Sequence, residues 1–400
     1  IDLTEPNPSL GVVLAGPVGR VFSVEAAMAD PSGFLRSPVG TGPFVMDPWE
    51  AGEPIRLSAN RRYWRTGPND RPLPYLDELM FREVQDEQER IELVQRREAD
   101  FAQSRSTLAI SRARDLELRV VSRNEDNVGV VLFNTVQSPV DDVRVRRALQ
   151  LSTNQEALIK ASLGAGAGER ATQWFSRESR WWSSLAAEAW PDLDEAAAKE
   201  LLAAYINDED RSDRRTPGSK ISVDLQCTDD IHLSSMTREL SRQWEATGLV
   251  EVEIETVTRS GLIQRVLGSI TDRPGFSGDF VATCWRVGGE SDPAMMFGPV
   301  FGPIRTSPLN VSNLHNESLS EFVDLLNSSS VETVRQAAVE EIMLALTEQM
   351  PMVYLSHAQS AVLGHPNTEG LGYWQLPNGE DVYGQVAGVG RWSDVWISDE

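Results

Sequence analysis

The chain has 400 residues, a formal net charge of −23, and an ordinary soluble balance of 40% hydrophobic and 24% charged residues. That length suits two or three domains with a sizeable core. The acidic excess argues against nucleic-acid binding, which needs a basic face to neutralise phosphates, and against adhesion to anionic lipid.

Residues 1–130 read as strand-rich with short helices. Their clearest element is a hairpin over residues 38–64, where Gly40, Gly42 and Pro43 punctuate the backbone, Phe44-Val45-Met46 reads as a strand and Glu50-Ala51-Gly52-Glu53 as a turn. Ile55, Leu57 and Ala59 alternate with polar neighbours, the period of a half-buried return strand. Asp142–Gly164 predicts one helix with Val143, Ala148, Leu149, Leu151, Leu158 and Ile159 as its apolar positions. The Gly164-Ala-Gly-Ala-Gly168 run that follows has neither the spacing nor the preceding strand of a dinucleotide-binding loop, so it reads as a helix-ending loop. Asp194 is placed to cap the next helix, whose stripe is Leu201, Leu202 and Tyr205. A polar loop over Asn207–Lys220 precedes a strand (Ile221–Leu225), a helix (Leu233–Gly248) and a strand (Val250–Val257), an order that fits a right-handed crossover. Leu319–Met350 predicts two helices broken at Asn327–Ser330, and Val353–Leu355 a final strand.

Catalytic and metal signatures do not stand out. The sequence carries no Gly-x-Ser-x-Gly elbow, no His-Glu-x-x-His and no phosphate-binding Walker loop, and its four histidines (His232, His315, His357, His365) have no repeated spacing. Cys227 and Cys284 lie in strand-like runs and read as two buried thiols rather than as a disulfide, since sequence shows nothing of their proximity; a zinc site lacks the ligand spacing. No metal and no cofactor is expected.

The hairpin string, with Gly-Thr-Gly-Pro-Phe, Trp49 to Glu53 and Asn60-Arg-Arg-Tyr-Trp64, resembles the signature of the extracellular solute-binding proteins of oligopeptide, dipeptide and nickel ABC importers (family 5). Other landmarks of that family follow in order. Tyr75–Arg82 resembles the strand after the hairpin. Arg90–Asp100 resembles a short helix and its turn, with Arg97 where glycine is usual. Phe133-Asn134-Thr135 with Pro139–Leu149, Asp192–Tyr205, and Gly278-Asp279-Phe280 with Trp285 and Asp292-Pro293 resemble later segments. Ile1–Thr4, as a strand, and the residues to Leu14 resemble the end of the region that precedes the hairpin.

The resemblance implies an α/β, two-lobed periplasmic-binding-protein-like fold of the class II, large peptide-binding type, with its first lobe incomplete because the family's N-terminal third is missing. Lobe I would be 1–127 continued by 356–400, lobe II 128–355, with hinge crossings near 128–134 and 354–361. It implies an extracytoplasmic (periplasmic or surface-anchored) monomer, not an enzyme, that captures oligopeptides or a similar solute between the lobes and delivers it to an ABC permease. Sugars, oligosaccharides or metal chelates are alternative ligands. A ligand sensor or a hydrolase is the alternative of another class.

The site residues follow from the same resemblance. Trp285 would lie in the cleft, where a flat indole offers contact area with few torsions to freeze; a core tryptophan is the other reading. The peptide-binding relatives place an aspartate soon after it for the ligand's ammonium, and here that place falls on Gly288 or Gly289. Glu290 is the substitute if the loop shifts by one residue, while Asp292 reads as a turn residue before Pro293. Arg286 has the fork geometry for an anionic group, or is a solvated surface residue. Trp174, with Phe175, Trp181 and Trp182, borders the cleft or packs beneath its loop. Phe133 and Asn134 sit at the hinge crossing. His357, near the return crossing, is a further ligand candidate that has a structural alternative.

Overall fold

The computed structural model describes all residues except 1, 5, 6, 68, 69, 164–167, 230, 269–277, 289–291, 303–306, 308, 376–380, 384, 387, 388, 399 and 400. Its principal strands are β1 (Phe44–Met46), β2 (Ile55–Ala59), β3 (Glu78–Phe81), β4 (Phe101–Ser104), β5 (Arg119–Phe133), β6 (Ile221–Thr228), β7 (Val250–Val257), β8 (Ala282–Gly288) and β9 (Met352–Gly364). The chain divides into two units, one of Ile1–Val12 and Asn124–Ala358, the other of Val13–Arg123 and Gln359–Glu400. Both long strands, β5 and β9, contain a boundary between units.

The smaller unit holds the hairpin. β1 and β2 pair antiparallel from Phe44–Ala59 to Met46–Leu57, and β3 adds to the other edge of β2. Gly52 makes the turn at φ +92°. Asn60 Nδ2 donates to the Gly42 carbonyl at 2.8 Å and so ties the closing Asn-x-x-Tyr-Trp to the opening glycines. The helix Glu87–Gln95 is capped by Asp86 and the helix Thr107–Asp115 by Ser106. Together they bury Ile91, Val94, Ala109 and Ile110 against Ala361 and Leu363 of β9. Arg97 adopts φ +60°, which explains why glycine suits that position. A second small cluster collects Val121, Val362, Leu371 and Val395 around a stacked Phe101–Trp392 pair with centroids 4.5 Å apart.

In the larger unit, strand alternation feeds two cores. Val128, Val130 and Leu132 of β5 and Met352 and Tyr354 of β9 pack with Trp174, Phe175, Phe297 and the helices Glu317–Ser328 and Glu332–Gln349. Val131, Phe133, Val353 and Leu355 face the opposite way, toward Leu149, Leu202, Tyr205, Leu240 and Trp244. β6 and β7 run parallel in register from Ile221–Val250 to Thr228–Val257, joined by the helix Ile231–Glu245. Buried Arg146 donates to the carbonyls of Val140, Asp141, Gln349 and Met350. Desolvation lowers its pKa to about 10, so it remains charged at neutral pH.

Three expectations are corrected. The single helix over 142–164 is two, Val143–Leu151 and Gln155–Leu163. The Ser152 and Thr153 hydroxyls donate back to the carbonyls of Ala148 and Leu149, and Asn154 Oδ1 accepts from Ala157 N–H as a new cap. Residues 2–4 form no strand, and Leu10–Ala15 is helical. Cys227 and Cys284 are disulfide-bonded, with Cα atoms 5.0 Å apart. β6 and β8 lie side by side and pair Leu225 with Ala282 and Gln226 with Thr283, so the next residue of each strand meets the other.

Denaturing the unreduced protein is therefore expected to expose no thiol. Replacing both cysteines by alanine should lower stability by up to about 4 kcal/mol, the loop-entropy figure for a separation of 57 residues. Two titratable thiols before reduction would refute the pairing.

Candidate ligand-binding site

β9, β5 and β8 are consecutive in the six-stranded order β4-β9-β5-β8-β6-β7. β5 and β8 pair antiparallel, with Asn127 opposite Gly288, Gly129 opposite Arg286 and Val130 opposite Trp285. Directly opposed residues share a face, and successive residues alternate. A Cβ on Gly129 would stand 4.0 Å from Leu355 Cβ and 3.6 Å from the Ser356 carbonyl, which sets the phase of β9. One face thus carries Glu125, Asn127, Gly129, Arg286, Gly288, Leu355 and, by alternation, His357. The other carries Val128, Val130, Trp285, Val287 and Tyr354.

That alternation separates the sequence-predicted residues. Trp285 is half-buried against the first core, whereas its neighbour Arg286 is exposed on the opposite face. Phe133 is fully buried, its ring 6.3 Å from Trp244. Asn134 is buried at the strand end, where its Nδ2 donates to the Phe280 carbonyl at 3.2 Å and its Oδ1 accepts from Asn313 Nδ2 at 2.9 Å. Trp174, 1% exposed, meets Phe297 and Phe301 edge-to-face with centroids 5.2 and 5.7 Å away. Arg180 and Arg335 lie over Trp181, at 4.7 and 5.4 Å from its ring centroid. Phe133 and Trp174 are thus packed into apolar clusters, and Asn134 is hydrogen-bonded at the strand end. Asp292 caps the helix Pro293–Phe301 through Ala294 N–H at 2.9 Å and pairs with buried Arg335. Glu290 lies outside the described residues.

His357 is placed differently. It is 2% exposed, and its ring lies against the backbone of Asn127 and Phe175. Burial pushes its pKa down to about 4, only partly offset by the nearby backbone of Asn127 and Phe175, so the ring is neutral at pH 7. Its neighbour Asn127 donates from Nδ2 to Glu125 Oε2 at 2.6 Å, and both residues are buried. Sequence reasoning missed Glu125 and Asn127. Their signal was present as two polar residues at alternate positions of a long strand whose later residues are apolar. Among the described residues no three His, Cys, Asp or Glu side chains gather as a metal site.

Comparison with known proteins bears on this arrangement. Residues 1–303 match the family described as bacterial extracellular solute-binding proteins, family 5 middle. The glutathione-binding protein GsiB of Salmonella typhimurium (strain LT2) is 29% identical over 205 residues, 50% of this chain and 38% of that protein. The dipeptide-binding protein of Escherichia coli (strain K12) is 31% identical over 171 residues, 41% of this chain and 31% of that protein. The chain thus aligns with well under half the length of these curated relatives. The periplasmic binding protein DppA of Helicobacter pylori, solved with the peptide STSA, superposes with a TM-score of 0.75 at 17% identity, covering 99% of this chain and 72% of that one. That likeness shows a common fold.

Because unfolded histidine titrates near 6.5 and folded His357 near 4, the unfolded chain takes up this proton first as pH falls. The contribution is fully present above about pH 6.5, is lost between there and pH 4, and amounts to up to about 3 kcal/mol. Denaturant melts at pH 7.5 and 4.5 should show a loss in wild type that His357→Leu reduces by roughly that amount. An identical loss in both proteins would contradict the assignment.

Proposed function

We propose, from the premise that the chain belongs to the bacterial extracellular solute-binding proteins of family 5, that it captures short peptides outside the cytoplasm and delivers them to a membrane permease of the ABC import type. The family is one of binding proteins rather than enzymes. Among the described residues no helix is long and apolar enough to cross a membrane.

The observation that carries the peptide reading is the polar face of β5, β8 and β9. Exposed Arg286 stands on the face that also carries Asn127 and His357, within a sheet whose other positions are largely apolar. A guanidinium presents paired N–H donors that match a carboxylate, and every linear peptide with a free C-terminus carries one. We assign Arg286 to that group, and the part-exposed indole edge of Trp285 to apolar contact. Relatives named for dipeptides and glutathione, and a fold-mate solved with a tetrapeptide, support the same ligand class. Binding needs no chemical step here, only contacts that favour the liganded conformation.

A thermal-shift screen tests this with pools of dipeptides to octapeptides, oligosaccharides and nickel chelates. A ligand at about 100 times its dissociation constant adds roughly 2.7 kcal/mol, enough to move a melt by a few degrees. Peptides are expected to shift the melt. Arg286→Ala should weaken peptides with a free carboxyl terminus about tenfold and leave their amidated forms unchanged. Shifts confined to sugars or chelates would overturn the peptide assignment.

A further inference from the structure

β8 is held unequally on its two sides. Toward β5 it is paired along its length, from Ala282 opposite Phe133 to Gly288 opposite Asn127. Toward β6 the described ladder is short, Leu225 with Ala282 and Gln226 with Thr283, although β6 pairs with β7 all the way from Ile221 to Thr228. Among the described residues, Trp285–Gly288 therefore pairs with β5 alone. A strand paired on one side is the part of a sheet most free to twist.

The Cys227–Cys284 bond stands at that transition, joining the residues that directly follow the short ladder. One residue earlier, Thr283 Oγ1 donates to the Gln226 carbonyl at 3.0 Å. Thr237 of the helix Ile231–Glu245 brings its hydroxyl to 3.9 Å from Cys284 Sγ. Both cysteines are buried, which suits a fixed fastening rather than an exchanging one. Cys284 and Arg286 are alternate residues of one strand, so they share a face and lie about 7 Å apart.

We infer that Cys227 and Cys284 are positioning residues for ligand recognition, their bond fixing β8 just before Arg286 and so setting where the guanidinium meets the ligand's carboxylate. The inference rests on the assignment of Arg286 to that carboxylate and deepens it. Two parallel N–H···O bonds need the guanidinium held to within about 0.5 Å. A strand end supported from β5 alone does not keep that tolerance, whereas a covalent tie to β6 two residues away does.

Calorimetric titration of one peptide in free-acid and amidated forms tests this, at a temperature where melting shows each protein folded. Wild type is expected to prefer the free acid about tenfold. Cys227→Ala with Cys284→Ala should narrow that preference to about threefold or less, with affinity for the amide unchanged. Cys227→Val with Cys284→Ala, which refills the cluster without the bond, should behave alike. Leu202→Ala, in the same apolar cluster, lowers stability with the bond intact and should keep the full preference. In the ligand-free proteins, amides of residues 285–288 should exchange about tenfold faster, relative to those of β6, when the bond is absent, and not in Leu202→Ala. A folded bond-less variant that keeps the tenfold preference overturns the inference and leaves the bond a purely stabilising one. Equal narrowing in Leu202→Ala, or unchanged exchange at 285–288, overturns it as well. A wild type without the preference overturns the Arg286 assignment and this inference with it, a result seen before any variant is made.

Discussion

Two long strands impose the constraint on which the rest of this molecule depends. β5 and β9 lie next to each other in one sheet, and side chains from these two strands enter all four apolar clusters. Met352 and Tyr354 go to one core, Val353 and Leu355 to the next, Ala361 and Leu363 to a third and Val362 to a fourth. Strand periodicity admits no compromise: a slip of one residue in either strand would exchange every core residue with its neighbour. The register of these strands is therefore held by burial in both units at once.

The same periodicity sorts the polar residues of these strands onto one face. Once Val128, Val130 and Trp285 are committed to a core, Glu125, Asn127, Arg286 and His357 must face the other way. Toward the Phe133 end of β5 that second face is apolar and covered by helices. Toward Arg119 it becomes polar, with Glu125 and Asn127 buried and hydrogen-bonded to each other. Several supports surround the site. Arg146 gathers four carbonyls, Asp292 caps a helix and pairs with Arg335, and the Cys227–Cys284 bond joins β6 to β8 close to the residues that bear the site.

Much of this fold was legible from local signals, because those signals are local in origin. The hairpin limits at Phe44–Met46 and Ile55–Ala59, the Asp194 cap, the strand Val250–Val257 and the break between the last two long helices all follow from turn residues and short-range periodicity. Apolar periodicity failed to show the break at Ser152–Asn154, because Ser152 and Thr153 keep their hydrogen bonds to the preceding turn while Asn154 starts another helix. The disulfide was hidden for a different reason. It depends on two strands 57 residues apart becoming neighbours, which no local pattern records. Likewise Trp285 came from the family resemblance and Arg286 from the fork geometry of its side chain, and only the observed strand geometry separates these neighbours onto opposite faces.

The proposed reading places peptide specificity on one face of three strands. Determining the crystal structure of the protein with a bound peptide tests that claim most directly. The account predicts the peptide along the face of β5, β8 and β9 that carries Arg286, with its carboxylate on the guanidinium. A peptide bound elsewhere, with its carboxylate away from Arg286, would contradict it.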